Sequence, residues 1–259
     1  MSRRVKLFHA DSLLPWLLPV TLVLSWQAAA QLGWLSTRIL PAPLDVLKVG
    51  VQLASSGELY HHFLASTRRA VTGLLIGGSI GLVLGMLTGM SRLAQNLLDS
   101  SIQMVRNVPL LALIPLVILW FGIGEEGKVF LVALAVFFPI YLNTFHGLRS
   151  VDKDLIEMGR TYGLGRVGLF REVILPGALP SIMVGLRMSL GYMWLFLVVA
   201  ETIASSEGIG YMTMNAREFL QTDVMVLGIA IYALLGKSSD VLAGLLERHW
   251  LKWHKGYQT

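Results

Sequence analysis

EMGRTYGLGRVGLFREVILP, residues 157–176, is a polar stretch broken by glycines and flanked by long apolar runs, 128–146 before it and 182–200 after it. Such a stretch cannot lie in hydrocarbon, where no water is present to satisfy loose backbone groups. It therefore marks a place where a chain otherwise suited to lipid emerges into water. Arg149, Lys153, Arg160, Arg166 and Arg171 lie in or beside it. Cations cluster in cytoplasmic segments of membrane proteins, so this stretch is expected on the cytoplasmic side.

Composition agrees. The 259 residues are 54% apolar and 14% charged, against about 25% charged for an average soluble domain, which makes this a membrane protein. A net charge of +5 would suggest nucleic acid in a soluble chain. Here the cations gather at the ends of apolar runs, and membrane topology accounts for them without nucleic acid. The absence of cysteine excludes disulfides, thiolate metal sites and thiol nucleophiles. Six histidines without HxH or HxxxH spacing offer no metal site.

A spanning helix needs about 20 mainly apolar residues. On that criterion six spans are expected, at about 13–30, 71–90, 108–123, 128–146, 182–204 and 224–246. The fold class is thus an all-α membrane protein, with residues 1–259 forming one transmembrane domain. Arg3, Arg4 and Lys6 precede an apolar run that ends in Ala28-Ala29-Ala30; its length through Trp26 fits a retained anchor better than a cleaved signal peptide. Residues 31–70, with Pro41 and Pro43 and an amphipathic stretch from Asp45, read as an external loop with one or two short interfacial helices. Assigning the segments with the N-terminus inside places thirteen Lys and Arg in the cytoplasm and six outside, Arg68 and Arg69 among the six. That bias puts both termini in the cytoplasm.

Within the spans, Gly73, Gly77, Gly81, Gly85 and Gly89 recur at four-residue spacing. Such a stripe lets another backbone approach closely, and packing within the chain is favoured over a dimerisation face. Residues 91–107 suit an interfacial helix or the wet end of a longer one, and Pro109 and Pro115 should kink the span that follows. Arg187 can snorkel to the cytoplasmic interface, and Glu201, fourteen residues on, is too far along the helix to pair with it. Glu201 is expected at the external mouth, held by a neighbouring loop. Lys237 and Asp240 can form a local ion pair.

The cytoplasmic segment 147–176 has its own internal logic. Ser150 or Asp152 caps a helix running to about Tyr162. Gly163-Leu164-Gly165 permits a tight turn, and a second short helix over about 167–174 stops before Pro176. The result is a knob presenting Glu157, Arg160, Tyr162 and glycine backbone, suited to another protein's cleft.

Glu157, Gly163, Leu175 and Pro176 stand at the spacing of the EAA loop, E-A-A-x3-G-x9-I-x-L-P, and so resemble permease subunits of bacterial ATP-binding-cassette importers. RNVPLLALIPLVILWFGIG (106–124), ILPGALPSIMVGLRMSLG (174–191) and AETIASSEGIGYMTMNAREFLQTD (200–223) are similar to the nitrate/sulfonate/taurine class, most closely its aliphatic-sulfonate members. Met158 and Gly159 stand where the motif has alanines and Val173 where it has isoleucine. Gly159 is expected to loosen the first helix by roughly 1 kcal/mol relative to alanine.

The resemblance implies a type I importer permease, multi-pass in the bacterial inner membrane and acting as a homodimer. It implies a cytoplasmic ATPase dimer docked through Glu157, Arg160, Tyr162, Gly163, Leu164, Gly165, Leu175 and Pro176, and a periplasmic or lipid-anchored binding protein outside. ATP would be bound by the partner, since this chain has no phosphate-cradling G-x4-G-K-[ST] loop. It is not expected to be an enzyme or to hold a cofactor. Pro115, Trp120, Arg187, Trp194 and Glu201 are the candidate pathway or gate residues. Taurine, nitrate or another small organic anion is the alternative cargo. A secondary transporter should show inverted repeats or charge relays, and a membrane enzyme should show clustered polar groups within its spans; neither pattern is visible.

Overall fold

The computed structural model describes residues 10–203 and 205–253, which form helices and turns and contain no strand. Arg3, Arg4 and Lys6, used in the topology count, lie outside the described residues. The chain divides into two compact units, one of residues up to Tyr60 with Met212–Ala230, the other of His61–Tyr211 with the residues from Ile231 onward.

In the first unit, α1 (Ala10–Gln31) is followed by α2 (Pro43–Ser55), the amphipathic stretch expected after Asp45. Proline at the first helical position and Asp45 in the first turn both suit a helix N-terminus. The Leu44 N–H donates to Gln27 Oε1 at 3.1 Å, tying α2 to α1.

The second unit is built around α6 (Glu125–Arg149). On one side lies α3 (Glu58–Met90). A Cβ placed on Gly77 would stand 2.0 Å from the Ala133 carbonyl oxygen, and those on Gly81 and Gly85 would come 2.7 and 2.8 Å from α6 atoms. The glycine stripe is thus a backbone-to-backbone seam within the chain. On the other side lies α9 (Leu175–Ile203), which meets α6 through its own small residues. Ser181 donates to the Asn143 carbonyl at 2.8 Å, Ser189 to that of Val136 at 3.0 Å, and a Cβ on Gly185 would meet Pro139 O at 2.9 Å. Between the seams, Val132, Val136, Ile140, Met193, Trp194 and Leu197 form the core with Ala70.

Two expected elements take a different form. The stretch 108–123, read as one kinked span, is a 3₁₀ turn (Leu110–Leu113) and an eight-residue helix, α5 (Ile114–Phe121). Together they are bent by 85° from α4 (Arg92–Arg106). Eight residues extend only about 12 Å, well short of a hydrocarbon core of about 30 Å. The break falls at Pro109, which lacks an N–H and disfavours helical geometry at Val108.

The second difference lies near Pro176. The helix expected to stop there instead runs on: α8 (Arg166–Leu169) passes through a π-helical turn (Phe170–Ile174) into α9. A wider turn relieves the clash a proline makes with the carbonyl four residues back.

Among the described residues, four helices are long and apolar enough to cross a membrane: α3, α6, the continuous 166–203 helix and α11 (Thr222–Trp250). The bent pair would make a fifth, and α1 has a shorter apolar stretch, Leu17–Gln31, among its described residues.

Candidate functional site

The hairpin between α6 and α9 begins with α7 (Lys153–Thr161). Asp152 caps it, its Oδ1 accepting from the Asp154 N–H at 2.9 Å. The chain reverses at Gly163, whose φ of +83° lies in the left-handed region that side chains disfavour. Beyond it, Gly165 is the N-cap of α8. Gly159 faces inward, where a Cβ would come 2.8 Å from Leu169 Cδ1. Glycine at this position therefore lets α7 lie close on α8, and the loosening expected from helix propensity is set against a close contact that alanine would crowd.

Of the eight candidate coupling residues, Glu157, Arg160, Tyr162, Gly163 and Gly165 are exposed. Leu164 is half-buried and sits against Gly159 and Gly168. Leu175 and Pro176 are also half-buried, and Leu175 packs on the cluster of Leu148, Val151, Ala178 and Ile182. These last residues hold the hairpin to its helices; the exposed ones form its surface. Met158 and Val167, 51% and 69% exposed, add apolar surface beside Tyr162, 81% exposed, and were not among the candidates. Exposed apolar groups rimmed by charge are the marks of a protein-binding surface.

At the opposite end of α9 lies a cluster of charges. His62, Ser66 and Arg69 occupy one face of α3 at helical spacing. Arg69, whose side chain is 2% exposed, donates from Nη1 to Glu201 Oε1 at 2.8 Å and to the Glu207 carbonyl at 2.7 Å. Its Nε and Nη2 reach Glu125 at 2.5 and 2.7 Å, a bidentate pairing. Glu201, fully buried, also accepts from Ser66 Oγ at 2.8 Å, Tyr232 Oη at 3.0 Å and the Gly210 N–H at 2.9 Å. The last contact places a carboxylate at the N-terminus of α10 (Ile209–Glu218), where the helix dipole favours it. The incoming turn is held by side chains too, since His62 Nδ1 accepts from the Gly208 N–H at 3.1 Å and Ser66 Oγ from that of Ile209 at 2.9 Å. Gly208 has φ +117°, and a Cβ there would stand 2.5 Å from the Glu201 carboxylate. Only glycine fits.

Glu201 is thus held as expected by a neighbouring turn, but its main partner was missed. Arg69 falls in a stretch that reads as external loop, whereas α3 begins thirteen residues ahead of the predicted span, at Glu58. The His62, Ser66, Arg69 spacing was the available signal.

The other pathway candidates are scattered. Pro115 and Trp120 are exposed on α5. Trp194 is buried, its Nε1 donating to Ser239 Oγ at 2.8 Å. Arg187 pairs with Asp240 at 2.6 Å and Glu247 at 3.4 Å, and the expected Lys237–Asp240 pair is the looser one at 3.7 Å. A cleft of about 410 Å³ lies along the elbow formed by the bend between α4 and α5, lined by Arg106, Pro109, Asn143, Met188, Tyr192 and Phe196 among others. No group of His, Asp and Glu among the described residues is placed to hold a metal ion.

The family of "binding-protein-dependent transport system inner membrane component" matches residues 80–252. SsuC of Escherichia coli (strain K12), named an aliphatic sulfonates transport permease protein, is 62% identical over 243 residues, covering 94% of this chain and 92% of its own. The SsuC of Bacillus subtilis (strain 168) is 46% identical over 93% of this chain and 88% of its own. The taurine transport system permease protein TauC of Escherichia coli (strain K12) is 38% identical over 88% and 85%. A crystal structure of an amino acid ABC transporter shares the fold, with a TM-score of 0.57 at 20% identity over 80% of this chain and 97% of that one. The continuous helices, the hairpin and these likenesses agree: this chain belongs to the family of binding-protein-dependent transport system inner membrane components, multi-pass membrane proteins that are permease subunits and not enzymes.

Proposed function

We propose that this chain is the permease subunit of an ATP-driven importer of aliphatic sulfonates. It forms the translocation pathway and couples to a separate ATPase. The observation that carries the cargo is the 62% identity, across nearly the whole of both chains, to a protein named for aliphatic sulfonates. Taurine, itself a small sulfonate, is the second reading, favoured by the 38% identity to TauC.

The exposed face of the 157–169 hairpin supports docking of the ATPase. Charged Glu157 and Arg160 surround apolar Met158, Tyr162 and Val167, a composition suited to a protein cleft in water and not to lipid. On this reading α3 to α11 supply the pathway, two copies of the chain enclose it, and a binding protein delivers cargo to the outer end. The elbow cleft, apolar but for Arg106, Asn143 and Tyr192, suits transient passage of an anion with an apolar tail. Selectivity then lies mostly in the binding protein.

Deleting the gene and growing the strain on alkanesulfonates, taurine, sulfate or nitrate as sole sulfur or nitrogen source tests the cargo. Loss of growth on alkanesulfonates alone is expected; unchanged growth on all of them defeats the assignment. For coupling, Gly163→Asp should leave the permease inserted but release its ATPase. Normal co-purification with wild-type transport counts against the docking face.

A further inference from the structure

The elbow cleft sets one cation into a largely apolar wall. Arg106 ends α4, where a positive charge suits the helix dipole, and it lines the cleft beside residues of α6 and α9. Among the described residues no acidic side chain lines the cleft, and no carboxylate pairs with Arg106. Arg69, Lys128 and Arg187, by contrast, each meet a carboxylate at 2.8 Å or less. Two neutral donors share the wall. Asn143 Nδ2 gives one N–H to the Pro139 carbonyl at 2.9 Å and has a second. Tyr192 Oη has no hydrogen-bond partner among the described residues, and its ring meets that of Phe196 edge-on, with centroids 6.5 Å apart. Phe138, Met188 and Phe196 supply apolar surface. The volume of about 410 Å³ falls among those of small-molecule sites, about 300 to 1,000 Å³.

We propose that the elbow cleft is an alkanesulfonate-binding site within the permease: Arg106 holds the sulfonate group, Asn143 and Tyr192 donate to it, and the alkyl tail lies against Phe138, Met188 and Phe196. A guanidinium presents a planar fork of N–H donors to an oxyanion with several oxygens. One cation balances a monoanion, whereas a dianion such as sulfate brings a second charge that nothing in the wall matches. The apolar surface would be idle without a tail to cover it. The inference rests on the transport reading above and adds a second point, after the binding protein, at which cargo is recognised.

The chain has no cysteine, so Met188→Cys places one thiol in the cleft wall, at a position 46% exposed. The probes are the sulfonatoethyl and trimethylammonioethyl methanethiosulfonates, the first itself an alkanesulfonate. Their rates on the permease of the membrane-embedded whole transporter are read by mass and divided by their rates on free 2-mercaptoethanol. So normalised, the sulfonate reagent should react about tenfold faster, as a charge-assisted contact allows, and added hexanesulfonate should slow it. Arg106→Gln should remove the preference and Arg106→Lys should keep part of it. Equal normalised rates, a preference that survives Arg106→Gln, or no reaction with either reagent at rest and during ATP turnover would each overturn the site.

Uptake gives a second reading. In proteoliposomes with binding protein and ATP, Arg106→Gln should lower alkanesulfonate uptake about tenfold, with Tm and the stimulation of the ATPase by loaded binding protein unchanged. A parallel loss of ATPase stimulation would mark a structural role and overturn the site. If wild type takes up no alkanesulfonate, the cargo assignment fails, while the comparison of reagents still decides the site.

Discussion

Arg69 shows how much one side chain can hold in place. Its guanidinium is met by Glu125, Glu201 and Glu207, and its truncation leaves Glu201 buried opposite no cation. Arg69→Met should therefore cost about 3 to 5 kcal/mol, read as a lowered Tm of the detergent-solubilised permease. Replacing Glu201 with methionine in the same chain should recover part of that loss, because two apolar groups then replace a lone buried charge. Gly163 makes a contrasting case. Nothing lies within 4 Å of a Cβ built there, so only backbone conformation limits the residue. Gly163→Val should cost about 1 to 2 kcal/mol and Gly163→Asn much less, since asparagine tolerates left-handed geometry. That contrast can be measured as Tm, apart from any effect on the ATPase.

At the level of elements, two seams of small residues determine how closely helices approach α6. The α3 seam was legible as glycines at four-residue spacing; the α9 seam of Ser181, Gly185 and Ser189 follows the same spacing but mixes hydroxyls with glycine and so reads as an ordinary apolar span. Gly77→Ala should force α3 from α6, because the obstacle is the Ala133 carbonyl oxygen and backbone cannot swing aside. Overpacking of this kind costs about 1 to 3 kcal/mol or more. Gly191→Ala is the matched control: nothing lies within 4 Å of its Cβ, and helix propensity predicts a gain of up to about 1 kcal/mol. Opposite shifts in Tm are the expected outcome. The elbow of α4 and α5 was only half legible, since Pro109 announced a break but could not specify an 85° bend. Proline removes a helical bond; neighbouring elements decide where the freed chain then points.

Over the whole molecule, the distribution of charge predicts an orientation in the membrane. Cysteine introduced at exposed Tyr162 should react with an impermeant maleimide in inverted vesicles but not in intact spheroplasts, and Glu126→Cys should do the reverse. Labelling of both from one side would overturn the assigned orientation. Membrane residence, helical class, the polar hairpin between α6 and α9 and the transporter family could all be read in the sequence. These depend on composition, period and local spacing, which a chain carries wherever it folds. Pairing Arg69 with Glu201, 132 residues apart, required the tertiary structure. So did the placement of Trp194 in the core and the supporting role of Leu175. Charges distant in sequence acquire partners only when helix packing brings them together and excludes water. In lipid, hydropathy marks which segments are buried, but the seams between helices decide which faces meet.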